Sequence, residues 1–300
     1  MTNTNQICII TGATSGIGKE AAVEISRKGY TLVLPVRNQE KAKAVKNEIR
    51  ERTGNDDVVL MDCDLASLES VRSFAKAYLK RFDRLDVLIH NAGIWESKRK
   101  ESKDGIELTF AVNHLAPFLM TYLLTDLLIA SAPARVINVS SEAHRQGKIR
   151  FDDLEGKRKW TSFGSYAQSK LANILFTREL SRKMNGAGVT VNSLHPGVVN
   201  THLFDNFPPF LASIFRLFMI TPEKGARTTV HLATSPDLQN TTSSYFAKSK
   251  IKQAAKQALD DEAAKKLWEA SMEYINSKAT KPSQAARAHA VVDSADGQAI

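Results

Sequence analysis

Cysteine is scarce in this chain of 300 residues, which contains only Cys8 and Cys63. Two thiols cannot form the several disulfides that hold small secreted folds together, so that class of protein is excluded. Each cysteine lies in a short apolar run, and we expect both to be reduced thiols packed in the core. This expectation favours a cytosolic protein over a secreted one.

Long hydrophobic runs are also missing. The chain opens with polar residues and enters the apolar run at Ile7 directly, without the basic start and long apolar segment of a signal peptide. The longest apolar stretch, residues 115–130, contains Pro117 and Asp126 and is shorter than the roughly 20 residues that a transmembrane helix needs. We therefore expect a soluble, cytoplasmic protein.

The overall composition is that of an ordinary globular chain. Hydrophobic residues make up 43% and charged residues 24%, values that exclude wholesale disorder. Lys and Arg together number 41 against 32 Asp and Glu, which gives a net charge of +9. That excess is compatible with a nucleic acid, an anionic membrane or a phosphorylated small molecule, and charge alone does not choose among them.

Two classes of site have little support. The basic run at residues 157–159 belongs to no recognisable nucleic-acid-binding module, so we expect a solvated loop and no nucleic-acid partner. His195 and His202 lie near a Pro-Gly turn, but no group of His, Cys, Asp and Glu has the spacing of zinc ligands. No metal site is predicted.

Short β-like runs alternate with longer helical patterns along the chain. Six apolar runs predict parallel strands near 7–10, 31–36, 58–61, 87–89, 136–139 and 189–194, and a seventh short strand is predicted at 244–246. Helices are predicted at about 17–28, 104–130, 166–184, 222–233 and 260–277, and a further helix rich in Lys and Glu is predicted to end near Gly54. This alternation predicts a single doubly wound α/β (Rossmann) domain, with a mostly parallel sheet of about seven strands and helices on both faces.

The domain is expected to span residues 1–277 and to be followed by a mobile tail, 278–300, that is rich in Ala and Ser. Residues 202–220 contain five phenylalanines. Three interpretations of that segment stay open: a lid over a lipophilic substrate, a buried core segment, or a peripheral membrane contact through 203–220.

A glycine-rich turn follows the first predicted strand and opens the next helix. Gly12, Gly16 and Gly18 leave room for a tight turn and for close approach of the backbone to a ligand, with the positive end of the helix facing a phosphate. A P-loop needs four residues between its glycines and Ser or Thr after Lys. Here five residues separate Gly12 from Gly18, and Glu20 follows Lys19. A dinucleotide is the predicted ligand, and a nucleoside triphosphatase is disfavoured.

The second predicted strand ends at Arg37. Rossmann enzymes that use NAD present a carboxylate to the ribose at this position, whereas an Arg there accommodates the 2′-phosphate of NADP. The guanidinium of Arg37 is suited to bind that phosphate, and Lys19 is expected to add a second positive charge. The sequence therefore predicts NADP(H) as the cofactor.

Tyr166 and Lys170 are four residues apart on a predicted helix, so they share one face. We expect the ammonium to lower the pKa of the tyrosine from its usual value of about 10. The same spacing recurs at Tyr274 and Lys278. Tyr166 comes after the strand that leads to Ser141, at the sheet edge where ligands bind, whereas Tyr274 belongs to the last amphipathic helix and is expected only to pack.

These motifs, in this order, resemble the short-chain dehydrogenase/reductase family over nearly all of residues 7–250. The matches are TGxxxGxG at 11–18, NAG at 91–93, YxxxK at 166–170 and PG at 196–197. Finer features resemble the retinol-dehydrogenase-like branch, namely GKE at 18–20, Arg37 in place of an acid, YAQSKLANILF at 166–176 and an extended linker before Tyr166. His90 and Pro35 depart from the residues usual in the family.

The resemblance implies an NADPH-dependent oxidoreductase that transfers a hydride between the nicotinamide and the carbonyl or alcohol group of a lipophilic aldehyde or ketone, retinal-like or otherwise hydrophobic. It implies four catalytic residues: Asn113, Ser141, Tyr166 and Lys170. It implies cofactor contacts at Gly12, Thr14, Ser15, Gly16, Ile17, Gly18, Lys19, Arg37, Asp64, Leu65, Asn91, Ala92, Gly93, Tyr166, Lys170, Pro196, Gly197, Val199 and Thr201. Of these, Asp64 is expected at the adenine and Thr201 at the nicotinamide amide.

An alternative of another class stays open, a catalytically silent NADP(H)-binding sensor or scaffold. The intact Asn113, Ser141, Tyr166 and Lys170 argue against it, although a fold does not guarantee an activity. Hydrolase chemistry has no support, because the chain contains no GxSxG nucleophile elbow. The direction of the reaction and the oligomeric state, a homodimer included, stay open as well.

Overall fold

We describe the protein from a computed structural model, which describes residues 6–197 and 220–277. Its strands are β1 (Ile7–Ile10), β2 (Thr31–Val36), β3 (Val58–Asp62), β4 (Val87–His90), β5 (Ala134–Val139), β6 (Val189–His195), β7 (Tyr245–Ala247) and β8 (Lys250–Lys252). The α-helices in this part of the chain are α1 (Gly16–Arg27), α2 (Gln39–Thr53), α3 (Leu68–Arg81), α4 (Leu108–Ala130), α5 (Ser162–Lys183), α6 (Pro222–Thr234) and α7 (Asp261–Ser277).

All eight strands belong to one sheet, in the order β3-β2-β1-β4-β5-β6-β7-β8. Strands β1 to β7 pair in parallel, and only β8 runs antiparallel to its neighbour β7. The chain is thus a single doubly wound α/β domain, as predicted. Because the strand order reverses between β1 and β4, a crevice opens at the carboxyl ends of these strands, where such folds bind ligands.

The eighth strand was not predicted. It has the sequence KIK, its three residues are exposed, and the turn that leads into it uses Lys248 and Ser249. Both turn residues have left-handed φ angles, 53° and 56°, which usually require Gly or Asn. Neither the strand pattern nor the turn pattern was therefore visible in the sequence.

Helix α3 was also missed, although its signal was present. The hydroxyl of Ser67 caps it by accepting from the N–H of Ser70 at 3.3 Å. Its buried face is formed by Leu68, Val71, Phe74, Ala75 and Tyr78, the spacing of an amphipathic helix. A parallel crossover from β3 to β4 also requires such an element.

Pro35 lies inside β2, and its placement where pairing stops was only half right. Pairing with β3 continues past it, to Val36 opposite Asp62. Pairing with β1 ends at Val33. The N–H of Thr31 points to the β1 side and that of Leu32 to the β3 side, so by strand alternation the missing N–H of Pro35 faces β1. No ladder bond is lost, because the β1 pairing has already ended.

Helix α4 is longer than the apolar run from which no membrane span was predicted. It begins at Leu108 and has 23 residues, so by length and composition it meets the minimum for a membrane span. However, 67% of its apolar window is buried inside the protein. Such a helix is weak evidence for a membrane span, because the core helix of a soluble protein has the same properties.

The two cysteines are free and buried, as expected. Burial raises the pKa of both thiols, that of Cys63 to about 12, which keeps them protonated and unreactive.

Almost all of the segment 202–220, and all of the tail 278–300, lie outside the described residues. The interpretations of these two segments stay predictions.

Candidate active site

The glycine turn between β1 and α1 requires its glycines. Gly12 and Gly16 have φ angles of 68° and 55°. A Cβ on Gly12 would lie 2.9 Å from the Cα of Ala92, and one on Gly18 would lie 2.3 Å from both the side-chain amide of Asn91 and the carbonyl oxygen of Gly12. The backbone of this turn therefore packs directly against residues 91–93, with no room for a side chain between them.

Thr11 holds these two segments together. Its hydroxyl oxygen accepts hydrogen bonds from the N–H groups of Asn91 at 3.1 Å and Ala92 at 3.0 Å. The amide of Asn91 donates to the carbonyl of Thr11 at 2.9 Å. Thr11 was not among the predicted site residues, although it opens the TGxxxGxG motif. Its role depends on residues about 80 positions away, which the sequence alone did not bring together.

The start of α1 offers backbone donors. Ser15 precedes the helix, but its side chain makes no capping hydrogen bond, and the first turn contains no acidic residue. The first N–H groups of a helix have no partner within the helix, and together with the helix dipole they form an anion site. The half-buried Thr14 and Ile17 complete the wall. The turn thus fits the pyrophosphate of a dinucleotide.

Arg37 lies exposed at the carboxyl end of β2, next to the cap of α2 formed by Asn38. Asp64 follows β3 on the same edge and pairs with Lys103 at 2.9 Å. Burial opposes ionisation of Asp64, but Lys103, the N–H of Ala66 and the charge of Arg37 together lower its pKa. Asp64 is thus a carboxylate beside Arg37, and Leu65 lies half-buried next to it.

Lys19 forms an ion pair that the sequence did not predict. Its ammonium pairs with Glu48 of α2 at 2.8 Å. Glu48 is nine residues beyond Gln39, the first residue of α2, which is about 13 Å along the helix axis. Because Arg37 lies at the start of α2, this ion pair draws the Lys19 ammonium toward the middle of α2, and its expected contact with the cofactor stays a prediction.

The four predicted catalytic residues lie on neighbouring elements at the carboxyl edge of the sheet. Ser141 follows β5, Tyr166 and Lys170 lie one turn apart on α5, and Asn113 lies in a π-helical turn, Ala111–Leu115, within α4. Such turns often occur at functional sites. The Ser141 hydroxyl lies close enough to Tyr166 to lower the pKa of its phenol. The structure thus brings these side chains together from parts of the chain that are distant in sequence.

Asn113 is fully buried and locked by three hydrogen bonds. It accepts from the N–H of Ile94 at 2.8 Å, and it donates to the carbonyl of Ile94 at 2.9 Å and to the hydroxyl of Ser169 at 3.0 Å. Gly93 allows the close approach, since a Cβ there would lie 3.1 Å from Lys170 Nζ and 3.5 Å from Asn113 Oδ1. Gly93 thus connects the cofactor side of the site to its polar cluster.

The pKa values of Tyr166 and Lys170 differ from the prediction. Burial raises the pKa of Tyr166 to about 12, and the nearby Ser141 hydroxyl opposes this rise. Lys170 donates to the carbonyl of Val139 at 3.1 Å, its Nζ lies 5.6 Å from the centre of the Tyr166 ring, and burial lowers its pKa to about 8. The expectation that Lys170 makes Tyr166 more acidic is therefore wrong for this arrangement, because desolvation dominates both groups.

Trp95 is a neighbour of Tyr166 that the sequence reading did not identify. Its ring stacks on the Tyr166 ring, with centres 4.6 Å apart and an angle of 6° between the planes. The indole N–H donates to the hydroxyl of Ser162 at 2.7 Å, which donates to the carbonyl of Glu96 at 2.6 Å. Phe163, partly exposed, lies 5.8 Å from Trp95. Only the position of Trp95 two residues after the NAG motif hinted at this wall.

Of the four predicted cofactor residues that come after β6, the structure describes only the first two. Pro196 and Gly197 follow β6 and are half-buried, and Gly197 has a φ of 102°. A Cβ there would lie 2.6 Å from Ile220 Cδ1, so this turn also needs glycine. Val199 and Thr201 lie outside the described residues, and their roles stay predictions.

The two departures from the usual family pattern are structural. Pro35 needs no donor, as described above. His90 is buried, its Nε2 lies 2.7 Å from the hydroxyl of Thr121, and burial lowers its pKa to about 3. His90 is therefore a neutral core residue at the end of β4.

The doubly wound sheet, the glycine turn at its crevice and the cluster of Ser141, Tyr166 and Lys170 define a Rossmann-type oxidoreductase as the class of this protein. A family model described as short chain dehydrogenase matches residues 6–210. The chain therefore belongs to the short-chain dehydrogenase family.

Similar proteins support the branch. Retinol dehydrogenase 13 of Homo sapiens is 43% identical over 280 residues, which cover 90% of this chain and 85% of that protein. Dehydrogenase/reductase SDR family member 13 of Bos taurus is also 43% identical, over 88% of this chain and 71% of its own length. The name of the bovine protein carries the family, and the similarity to the retinol dehydrogenases places this chain in the retinol-dehydrogenase-like branch.

Solved structures support the fold. A protein of Mycobacterium paratuberculosis superposes with a TM-score of 0.75 at 30% identity, covering 90% of this chain and 93% of its own. A short chain dehydrogenase from Shigella flexneri, solved in complex with NADP, superposes with a TM-score of 0.65 at 26% identity, covering 83% of this chain and 99% of its own.

Proposed function

We propose that this oxidoreductase uses NADP(H) to interconvert a lipophilic aldehyde or ketone and the corresponding alcohol. The observation that carries the proposal is the meeting of Ser141, Tyr166 and Lys170 at the sheet edge onto which the glycine turn also opens. The names of the similar retinol dehydrogenases support an apolar substrate. Trp95 and Phe163 add aromatic surface beside Tyr166.

Tyr166 is the proton donor in the proposed reduction. Its raised pKa keeps the hydroxyl protonated at neutral pH, as a general acid requires, and the neighbouring Ser141 hydroxyl helps to orient the reacting oxygen. When bound, the nicotinamide supplies or accepts the hydride. Lys170 Nζ and Asn113 Oδ1 both lie close to Gly93, where they hold polar groups ready for the cofactor ribose and for return of the proton.

Arg37 supports the preference for NADP(H) over NAD(H). Its side chain is exposed at the carboxyl end of β2, where the ribose is expected, and it forms no ion pair with the other described residues. Arg37→Asp should lower the preference for NADPH over NADH about tenfold or more in kcat/KM, since a charge-assisted bond contributes on the order of 1.5 to 3 kcal/mol. Asp62→Asn, at the neighbouring strand end, is the matched control. Unchanged selectivity in Arg37→Asp would contradict the assignment.

The substrate class is tested by NADPH oxidation with aliphatic, aromatic and retinoid aldehydes. Turnover should increase with the apolar surface of the aldehyde. Tight NADPH binding without turnover of any aldehyde would instead support a silent sensor or scaffold. A cytoplasmic location, with or without peripheral membrane contact through 203–220, belongs to the same proposal and is tested by fractionation of cells that express the full chain.

A further inference from the structure

Ser141 is held from behind by a short turn. It caps a 3₁₀ helix, Glu142–Gln146, through its hydroxyl oxygen, which accepts from the N–H of Ala143 at 3.2 Å. The carbonyl oxygen of Ser141 accepts from two groups of His144, the backbone N–H at 3.1 Å and the ring Nδ1 at 2.6 Å. His144 thus makes two contacts with the backbone of a predicted catalytic residue.

The partners of His144 determine which ring nitrogen carries the proton. The ring Nε2 lies 3.1 Å from the backbone N–H of Ala255, which can only donate, so Nε2 is the acceptor. The proton is then on Nδ1 and is donated to the carbonyl of Ser141. His144 is completely buried, and burial lowers its pKa, so the ring is neutral. One neutral tautomer satisfies both bonds.

A segment near the C-terminus completes this contact. The side-chain amide of Gln257 donates to the carbonyl of Arg145 at 2.8 Å, and Arg145 donates to the carbonyl of Gln253 at 3.0 Å. Residues 253–257 are therefore hydrogen-bonded to the turn that follows Ser141, and we call this set of contacts the clasp. The family model ends at residue 210, so this clasp comes from the part of the chain beyond it.

We propose that His144 is a positioning residue, which through its Nδ1 contact with the Ser141 carbonyl holds the Ser141 hydroxyl beside Tyr166, while its Nε2 contact ties the segment 253–257 to the same turn. The proposal rests on the proposed function of Ser141 and Tyr166. Because the carbonyl and the hydroxyl belong to one residue, a loss of the Nδ1 contact should shift the Ser141 hydroxyl relative to Tyr166. A loss of the Nε2 contact alone should loosen only the clasp.

Two substitutions separate these contacts. In His144→Asn the side-chain amide nitrogen takes the place of Nδ1 and keeps a donor for Ser141. In His144→Gln the longer chain puts an amide near the place of Nε2 and keeps an acceptor for Ala255. Each variant therefore keeps one of the two hydrogen bonds, so each variant serves as the control for the other.

We expect kcat to fall about tenfold in His144→Gln and less than threefold in His144→Asn, with the same Kd for NADPH in both and similar losses in melting temperature. A merely structural histidine would give equal losses of kcat in the two variants, and that result would overturn the proposal. Full kcat in His144→Gln would overturn it as well.

A second measurement, by NMR, does not depend on turnover. In protein with ¹³Cζ-labelled tyrosine, the Tyr166 resonance, assigned by its loss in Tyr166→Phe, should shift in His144→Gln and stay in place in His144→Asn. In the unmodified protein, ¹⁵N shifts should show His144 protonated at Nδ1. A proton on Nε2, or an unmoved Tyr166 resonance in His144→Gln, contradicts the positioning role. Absence of turnover in the unmodified protein contradicts only the proposed function.

Discussion

Two tyrosines of this chain begin the same YxxxK spacing, and the structure gives them different surroundings. Tyr166 lies at the carboxyl edge of the sheet, beside the hydroxyl of Ser141 and stacked on Trp95. Tyr274 lies on α7, where its hydroxyl donates to Glu155 at 3.1 Å and its ring meets Phe110 edge-on at 5.9 Å. The prediction that Tyr274 packs is confirmed.

The difference teaches that the partner of the hydroxyl matters more than the spacing. Burial raises the pKa of both tyrosines. The neutral hydroxyl of Ser141 counteracts this rise at Tyr166, whereas the carboxylate of Glu155 increases it at Tyr274. A phenol beside a carboxylate is a structural donor, and a phenol beside a hydroxyl at the sheet edge is available to a substrate.

The largest expected contrast is in turnover. Tyr166→Phe keeps the ring but removes the acid, so kcat should fall about 10²- to 10⁴-fold while the Kd for NADPH stays the same. Tyr274→Phe should leave kcat unchanged and lower the free energy of unfolding by about 1 kcal/mol. Steady-state kinetics and urea unfolding measure both. Comparable turnover in Tyr166→Phe would remove the distinction between the two tyrosines.

The next contrast concerns Lys170, the amine beside Tyr166. Its pKa is lowered from 10.5 to about 8, so between these values the unfolded chain holds a proton that the folded chain has released. Stability should therefore rise with pH across this window. Relative to Lys170→Met, the unmodified protein should gain on the order of 2 kcal/mol between pH 7 and 9.5. A difference independent of pH would show that Lys170 is not desolvated.

A smaller effect is expected from the rings that touch the two tyrosines. Trp95→Ala removes the stacking that orients Tyr166, so kcat should fall by up to about tenfold, since such a pair contributes about 0.5 to 1.5 kcal/mol. Trp95→Phe should recover most of the loss. Phe110→Leu, beside Tyr274, should reduce stability and leave kcat unchanged. Equal kcat in Trp95→Ala and the unmodified protein would contradict a role for the stack.

The smallest effect is expected at Glu155. Glu155→Gln removes the charge that raises the pKa of Tyr274 but keeps an acceptor for its hydroxyl. The pKa of Tyr274 should fall, as followed by the absorbance of tyrosinate, while stability changes by less than about 1 kcal/mol. An unchanged titration of Tyr274 would mean that burial alone sets its pKa.

Most of the fold was predictable because its signals are local. The strands β1 to β7 are short apolar runs, and the glycines at 12, 16 and 18 identify the turn whatever surrounds them. The strand β8 was missed because its exposed KIK sequence and its turn through Lys248 and Ser249 carry no such signal.

The candidate site was predictable as a list of residues but not as an arrangement. Tyr166, Lys170, Ser141 and Asn113 were identified from motifs, and the structure brings them together. The roles of Thr11, Trp95 and His144 were not identified, because each depends on partners 80, 71 and 111 residues away. The ion pair of Lys19 with Glu48 was missed for the same reason.

The sequence by itself determined the class of the protein: a doubly wound α/β oxidoreductase with a glycine turn for a dinucleotide and a Tyr–Lys pair on one helix. These features are set by periodicity and spacing, which are written along the chain. Only the tertiary structure decided which of the two tyrosines faces a hydroxyl and which a carboxylate, and that burial outweighs Lys170 in setting the pKa of Tyr166. Desolvation and hydrogen bonding depend on neighbours that folding brings from distant parts of the chain.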